Sequence, residues 1–150
     1  MAARSALRGA LLLLSLLAGA CATPIHLPKD FLELTDRSDF QAVTGDDARI
    51  WIRELTDPNE ASLDFWATAL EHDFTKQRGY ELVKKGDVKA HGATGRWFEC
   101  AANVRGERIG YLVALWVSGH DLTVVEFAAR AEVFAARVEA VRTALKTVRT

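Results

Sequence analysis

The sequence predicts an α+β domain in which one antiparallel sheet carries a long helix on one face and a C-terminal helix on the other, an α/β/α sandwich. Three observations point there. Ile109 to Val117 is apolar on both alternating faces, with Tyr111, Val113, Leu115 and Val117 on one and Leu112, Ala114 and Trp116 on the other. A strand of that kind is covered on both sides. Two stretches carry apolar residues at helical rather than strand spacing. The first follows a run of strands and the second closes the chain, an order that places one helix layer on each sheet face.

Taken in order, Phe31 to Leu34 reads as a short first strand. Phe40 to Thr44 and Ala48 to Leu55 form a hairpin about Gly45-Asp46-Asp47, a run of turn formers. In the second of these strands Ile50 and Ile52 point one way, and Arg49, Trp51 and Arg53 the other. Asp57-Pro58-Asn59-Glu60 reads as a helix start with Asp57 as N-cap and Pro58 in the first turn. Leu63, Trp66, Ala67, Leu70 and Phe74 follow as its apolar stripe, widened by Phe65. Lys76 and Arg78 suit the carboxyl end of that helix, and Gly79 its left-handed cap.

Tyr80 to Ala90 is a strand with a break or bulge near Gly86, and His91 to Gly95 a loop. Arg96 to Val104 is a strand with Phe98, Cys100, Ala102 and Val104 on its core face. Turns at Arg105-Gly106-Glu107 and Gly119-His120-Asp121 lead into the doubly covered strand and then into Leu122 to Ala128. The last helix spans about Arg130 to Arg149. Its stripe is Phe134, Val138, Val141, Leu145 and Val148, with Arg137, Glu139 and Arg142 facing water.

The amino-terminal stretch has a different character. Arg4 and Arg8 precede an apolar run containing six leucines between Leu11 and Leu17, then Ala18, Gly19, Ala20 and Cys21. This is the pattern of a secretory signal peptide. The run is shorter than the ~20 residues of a membrane-spanning helix. Leu17-Ala18-Gly19-Ala20-Cys21 resembles a bacterial lipobox. It departs from the commonest form by carrying Ala18, rather than a larger aliphatic residue, three places before the cysteine. The resemblance implies cleavage before Cys21, a diacylglycerol on its sulfur and acyl chains such as palmitate in a cell-envelope membrane. Ala22, in place of Asp, implies an outer membrane and a periplasm-facing domain. The bland alternative is an ordinary Ala18-Gly19-Ala20 cleavage site and a bare Cys21, which leaves a Cys21–Cys100 disulfide open. Ala22 to Asp30 holds Pro24 and Pro28 and no helical period, and reads as a tether of at most ~30 Å. The expected organisation is therefore signal peptide 1–20, lipidated N-terminus and tether 21–30, and a single domain 31–150.

Charge narrows the partners. The chain has 19 Lys plus Arg against 20 Asp plus Glu, and removal of Arg4 and Arg8 leaves 17 against 20. A slightly acidic domain has no basic field for nucleic acid and no polybasic patch for anionic lipid. The sequence contains no nucleophile elbow, phosphate-binding loop, dinucleotide fingerprint or zinc spacing. It points to no catalytic residue, no metal and no cofactor. His26, His72, His91 and His120 are scattered and read as solvated. Asp46-Asp47 reads as turn chemistry before it reads as a cation site. Cys100 reads as a buried, inert thiol. Glu126, set between Val125 and Phe127, needs a structural partner such as an arginine if it points inward; the sharper alternative is a ligand-binding carboxylate.

Arg49, Trp51 and Arg53 on one strand face are the best recognition candidates, with Trp97 beside Arg96 a second. Trp and Arg are the residue types that most often anchor interfaces. The competing reading places Trp51 under a helix with the arginines lying alongside.

The element order resembles the PsbP-like sandwich shared by photosystem extrinsic subunits, a nuclear-import Ran-binding factor and DcrB-type bacterial lipoproteins. Arg78-Gly79-Tyr80-Glu81-Leu82 after the long helix, Leu122-Thr123-Val124-Val125-Glu126 as a late strand and the closing helix around Phe134 carry the resemblance. It implies a domain that binds or scaffolds other proteins and is not an enzyme. The expectation is an envelope lipoprotein, held by its N-terminal lipid and binding an envelope protein. The alternative is a carrier or sensor of a small apolar ligand held between the sheet and the Trp66 or Phe134 helix, which requires an interior pocket. A hydrolase built from Asp46, Asp47 and Glu126 is the weakest reading.

Overall fold

Strand pairing places the doubly apolar segment near the middle of the sheet. In the computed structural model, which describes residues 23–150, seven strands form one antiparallel sheet: β1 (Leu32–Glu33), β2 (Phe40–Val43), β3 (Arg49–Thr56), β4 (Glu81–Ala90), β5 (Ala93–Val104), β6 (Glu107–Ser118) and β7 (Asp121–Arg130). Their order is β1-β2-β3-β7-β6-β5-β4. Helix α1 (Leu63–His72), whose chain continues as a π-helical turn over Asp73–Gln77, covers one face, and α2 (Ala131–Leu145) covers the other. Cys21 and the signal-type segment before it lie outside the described residues.

Each helix closes its own core. On the α2 face Leu112, Ala114 and Trp116 of β6 meet Ile50, Val125 and Phe127 and the stripe Phe134, Val138, Val141, Leu145 and Val148. On the α1 face Val113 and Leu115 meet Phe98, Cys100, Ala67 and Phe74. Gly110 makes the first core close: a Cβ there would collide with the Phe134 ring. Gly95 lets the Trp116 indole and the Leu115 carbonyl approach to 2.6 Å of where its Cβ would stand.

Several details depart from the sequence expectation. Asp57 does not cap α1. Its carboxylate accepts the backbone N–H groups of Asn59 and Ala61, each at 2.9 Å, and the Trp66 indole N–H at 3.0 Å. That arrangement closes a non-helical loop, and the cap passes to Ser62, whose Oγ accepts the Phe65 N–H. Phe65 does not widen the buried stripe but is 57% exposed. The bulge in β4 falls between Leu82 and Lys84. Gly86 instead gives the Trp97 ring room, at 3.0 Å from where its Cβ would stand. The loop before β5 shrinks to a two-residue turn at His91 and Gly92, both with positive φ. Arg137 and Arg142 do not face water. Arg137 pairs with Asp46 at 2.8 Å and Arg142 with Glu99 at 2.6 Å. Their guanidinium groups lie over the Phe31 and Trp97 rings.

The largest correction concerns the supposed tether. Ile25 is 1% exposed within the α2-side core, and Leu27 packs against it. The Pro24 carbonyl accepts the Arg149 N–H at 2.9 Å, and the His26 N–H reaches Thr147 Oγ1 at 2.9 Å. Residues 24–27 are thus fastened along the carboxyl end of α2, because the pole of that core needs one more large aliphatic group and Ile25 supplies it.

Candidate functional site

Helix α1 is shorter than the sheet is wide. It and the π-helical turn lie over β4, β5 and β6 and reach β7 only at Val124, so the same face of β3 and of β7 from Glu126 on is left without a helix above it. The result is an open cleft of about 470 Å3 lined by Trp51 and Arg53 of β3, Glu126 and Ala128 of β7, Tyr111 of β6, Ala102 and Val104 of β5, and Arg78 and Tyr80 beyond the helix.

Register brings the polar members together. Trp51 stands directly across from Glu126, Arg53 across from Val124 and Tyr111 across from Ala128. Arg53 and Tyr111 therefore flank Glu126 diagonally on one face. Arg53 Nη2 donates to one Glu126 oxygen and the Tyr111 hydroxyl donates to the other. The Glu126 side chain is 15% exposed and that of Arg53 48%. This is the arginine partner that the sequence required of an inward-pointing glutamate. Burial, and then the adjacent Glu126 charge, push the Tyr111 phenol far above the usual tyrosine range.

One wall is aromatic. Phe74 stacks on Tyr80 at 6.1 Å, and both meet Tyr111 edge-on at 5.4 and 6.0 Å. Arg78 rests 5.3 Å over Phe74 and is held by Asp73 at 2.7 Å. The opposite wall is the half-buried face of Trp51. A carboxylate with both oxygens engaged orders its neighbours and is poorly placed to act as nucleophile or base. The Arg53 guanidinium keeps further N–H donors, and Trp51 and Tyr80 offer flat apolar area. The cleft thus sets flat apolar surface beside hydrogen-bond donors of Arg53.

Of the residues singled out in the sequence, Trp51 and Arg53 meet in this cleft. Arg49 shares their face but is turned to Asp47 at 2.8 Å. Trp97 lies on the other side of the sheet, with Arg142 stacked 4.8 Å above it. Tyr111, Tyr80 and Arg78 were not singled out by the sequence. Tyr111 sat within an apolar strand, and Arg78 was accounted for by the helix end. Asp46, held by Arg137 and then by Thr44, has its carboxyl below the usual range. It and Glu126 are engaged on opposite sides of the sheet, so they do not form a two-carboxylate site. Among the described residues no group of three or more His, Cys, Asp and Glu side chains converges on a metal position. Cys100 is buried, and burial pushes its thiol up to about 11. All four histidines are exposed. His120 also staples two loops, through the Asp57 carbonyl at 3.2 Å and Glu60 at 2.9 Å.

No protein-family model and no curated protein sequence matches the chain. Solved structures do, and they define its class as a PsbP-like α/β/α sandwich. Cyanobacterial PsbP of Synechocystis superposes with a TM-score of 0.63 at 11% identity over 83% of this chain and 84% of its own. LpqN of Mycobacterium tuberculosis, involved in cell envelope biogenesis, gives 0.65 at 11% over 80% and 78%. A Pseudomonas aeruginosa protein of unknown function gives 0.60 at 15% over 80% and 81%. At these identities the likeness is one of fold. No helix among the described residues is long and apolar enough to cross a membrane.

Proposed function

We propose that this chain is a lipid-anchored protein of the bacterial cell envelope, attached through Cys21 and facing the periplasm, whose domain binds an envelope protein through the cleft around Trp51 and holds it without catalysis. The observation that carries the reading is the open face of β3 and β7, where Trp51, Arg53 and Tyr80 offer aromatic surface and free donors over an ordered Glu126–Tyr111 pair. The envelope setting is supported by the lipobox-like stretch and by the fold shared with LpqN. A small apolar ligand between sheet and helix is less well supported. Phe134 sits on Gly110 and stacks on Phe127 at 5.1 Å, and Trp66 is bonded to Asp57, so side chains occupy that space.

The test is site-specific photo-crosslinking from Asp39, on the cleft rim, in membranes of expressing cells. A discrete adduct should fall at least fivefold in Trp51→Ala and persist in Lys146→Ala, with both variants folded by circular dichroism. An adduct indifferent to Trp51→Ala would reject the cleft as the binding face.

A further inference from the structure

We infer that the domain rests directly on the bilayer through one pole of the sheet, with Phe65 and Leu55 against the lipid, and that the Trp51 cleft runs away from that pole, into water. The inference rests on the lipid anchor proposed above and adds an orientation and a second contact surface to it.

The argument is one of length. Among the described residues the chain is first fastened at Pro24, bonded to Arg149, and only Ala22 and Thr23 separate it from Cys21. Three residue steps reach about 10 Å fully extended. A domain so held cannot swing away from the membrane; the pole where Pro24 enters must face it.

That pole is defined by contacts. His91, in the β4–β5 turn, lies 3.4 Å from the Thr147 carbonyl, beside the entering chain. Ala93 at the start of β5 falls level with Ser118 at the end of β6, because Arg96 pairs with Leu115 and the register runs on from there. The β6–β7 turn at Gly119 and His120 is thus at the same end. His120 is bonded to the Asp57 loop, and Asp57 to Trp66. Two apolar side chains stand exposed around this staple: Phe65, edge-on to Trp66 at 5.5 Å and 57% exposed, and Leu55, paired with Leu122 just past the turn and 50% exposed. Exposed Phe and Leu at the one end that the anchor holds against lipid have an apolar phase to enter. The pole carries charge of both signs, Lys146 with Glu60 and Asp121, so its attraction to lipid is apolar and imposed by the short leash.

The cleft starts at Arg53, which is level with Leu115 and so stands three residues, about 10 Å, along β6 from Ser118, and it runs away from the pole. Glu126 is level with Val113, and the cleft continues to Ile109. These lie five and nine residues along β6 from Ser118, about 17 and 30 Å at the usual strand rise. A partner must therefore reach the cleft from the aqueous side, well above the headgroups.

The experiment uses full-length protein extracted from membranes and reconstituted in phosphatidylcholine vesicles containing a headgroup-nitroxide lipid. A fluorophore is attached at Phe65→Cys in one sample and at Glu107→Cys, near the opposite pole, in another; Cys100 is buried and escapes labelling. Flotation of the vesicles reports the anchor independently. The expected result is flotation, with quenching at position 65 at least threefold greater than at 107. In addition, a ten-residue Gly/Ser insertion between Thr23 and Pro24 should reduce that ratio. Protein that floats with equal quenching at both positions overturns the orientation and leaves the anchor standing. Protein that does not float overturns both.

Discussion

Glu126 shows how a single side chain can be both a cost and an organiser. A carboxylate on an apolar strand is expensive to bury without a partner, and Arg53 and Tyr111 each take one of its oxygens. In a Tyr80→Phe background, where Tyr111 is the remaining tyrosine, absorbance at 295 nm should show no tyrosinate until the protein unfolds. Adding Glu126→Gln should bring Tyr111 ionisation down towards the usual range, because the neighbouring negative charge is gone. Cys100 obeys the same linkage. Its thiol is raised from 9.0 to about 11, so the folded state keeps a proton that the unfolded chain gives up. Its contribution is complete below pH 9 and is lost as pH rises through 11. The urea midpoint should therefore fall between pH 8 and pH 11, and by less in Cys100→Ala. The pairing of an inward glutamate with an arginine was legible in the sequence. That Arg53 would be the one was not, because it depends on β3 lying next to β7 across 73 positions of chain.

At the scale of elements, α2 was readable because five apolar residues at three- and four-residue spacing leave no other face to bury. Its packing partner was less visible. Gly110 in the strand beneath admits the Phe134 ring, so Gly110→Ala should destabilise the fold by about 1–3 kcal/mol by urea unfolding, with partial recovery in the Phe134→Leu double variant. Ile25 is the element-scale surprise. Two prolines and no periodicity read as a tether, since burial of a single aliphatic residue leaves no pattern. Ile25→Ala should cost about 2–4 kcal/mol and expose the peptide bonds of residues 22–30 to limited proteolysis, seen by mass spectrometry. The start of α1 was misread for a related reason. An Asp before Pro has the composition of a cap, and only the Trp66 indole and the Ala61 amide reveal that Asp57 is spent on the preceding loop.

For the whole molecule, the sandwich followed from one doubly covered strand and two helical stripes, whereas the cleft did not. It exists because a helix of ten residues and the π-helical turn after it lie over three strands of a seven-stranded sheet, a mismatch of sizes that no local pattern encodes. Cys21→Ser should move the protein from the membrane to the soluble fraction without changing its melting temperature, checked by fractionation and differential scanning fluorimetry. The bond between Pro24 and Arg149 also matters to anyone who handles the protein. It brings residues 24 and 149 side by side, so in the orientation inferred above a purification tag placed after Thr150 would be wedged between the fold and the membrane. An affinity handle spliced into the Arg105–Gly106 turn would instead stand clear at the summit.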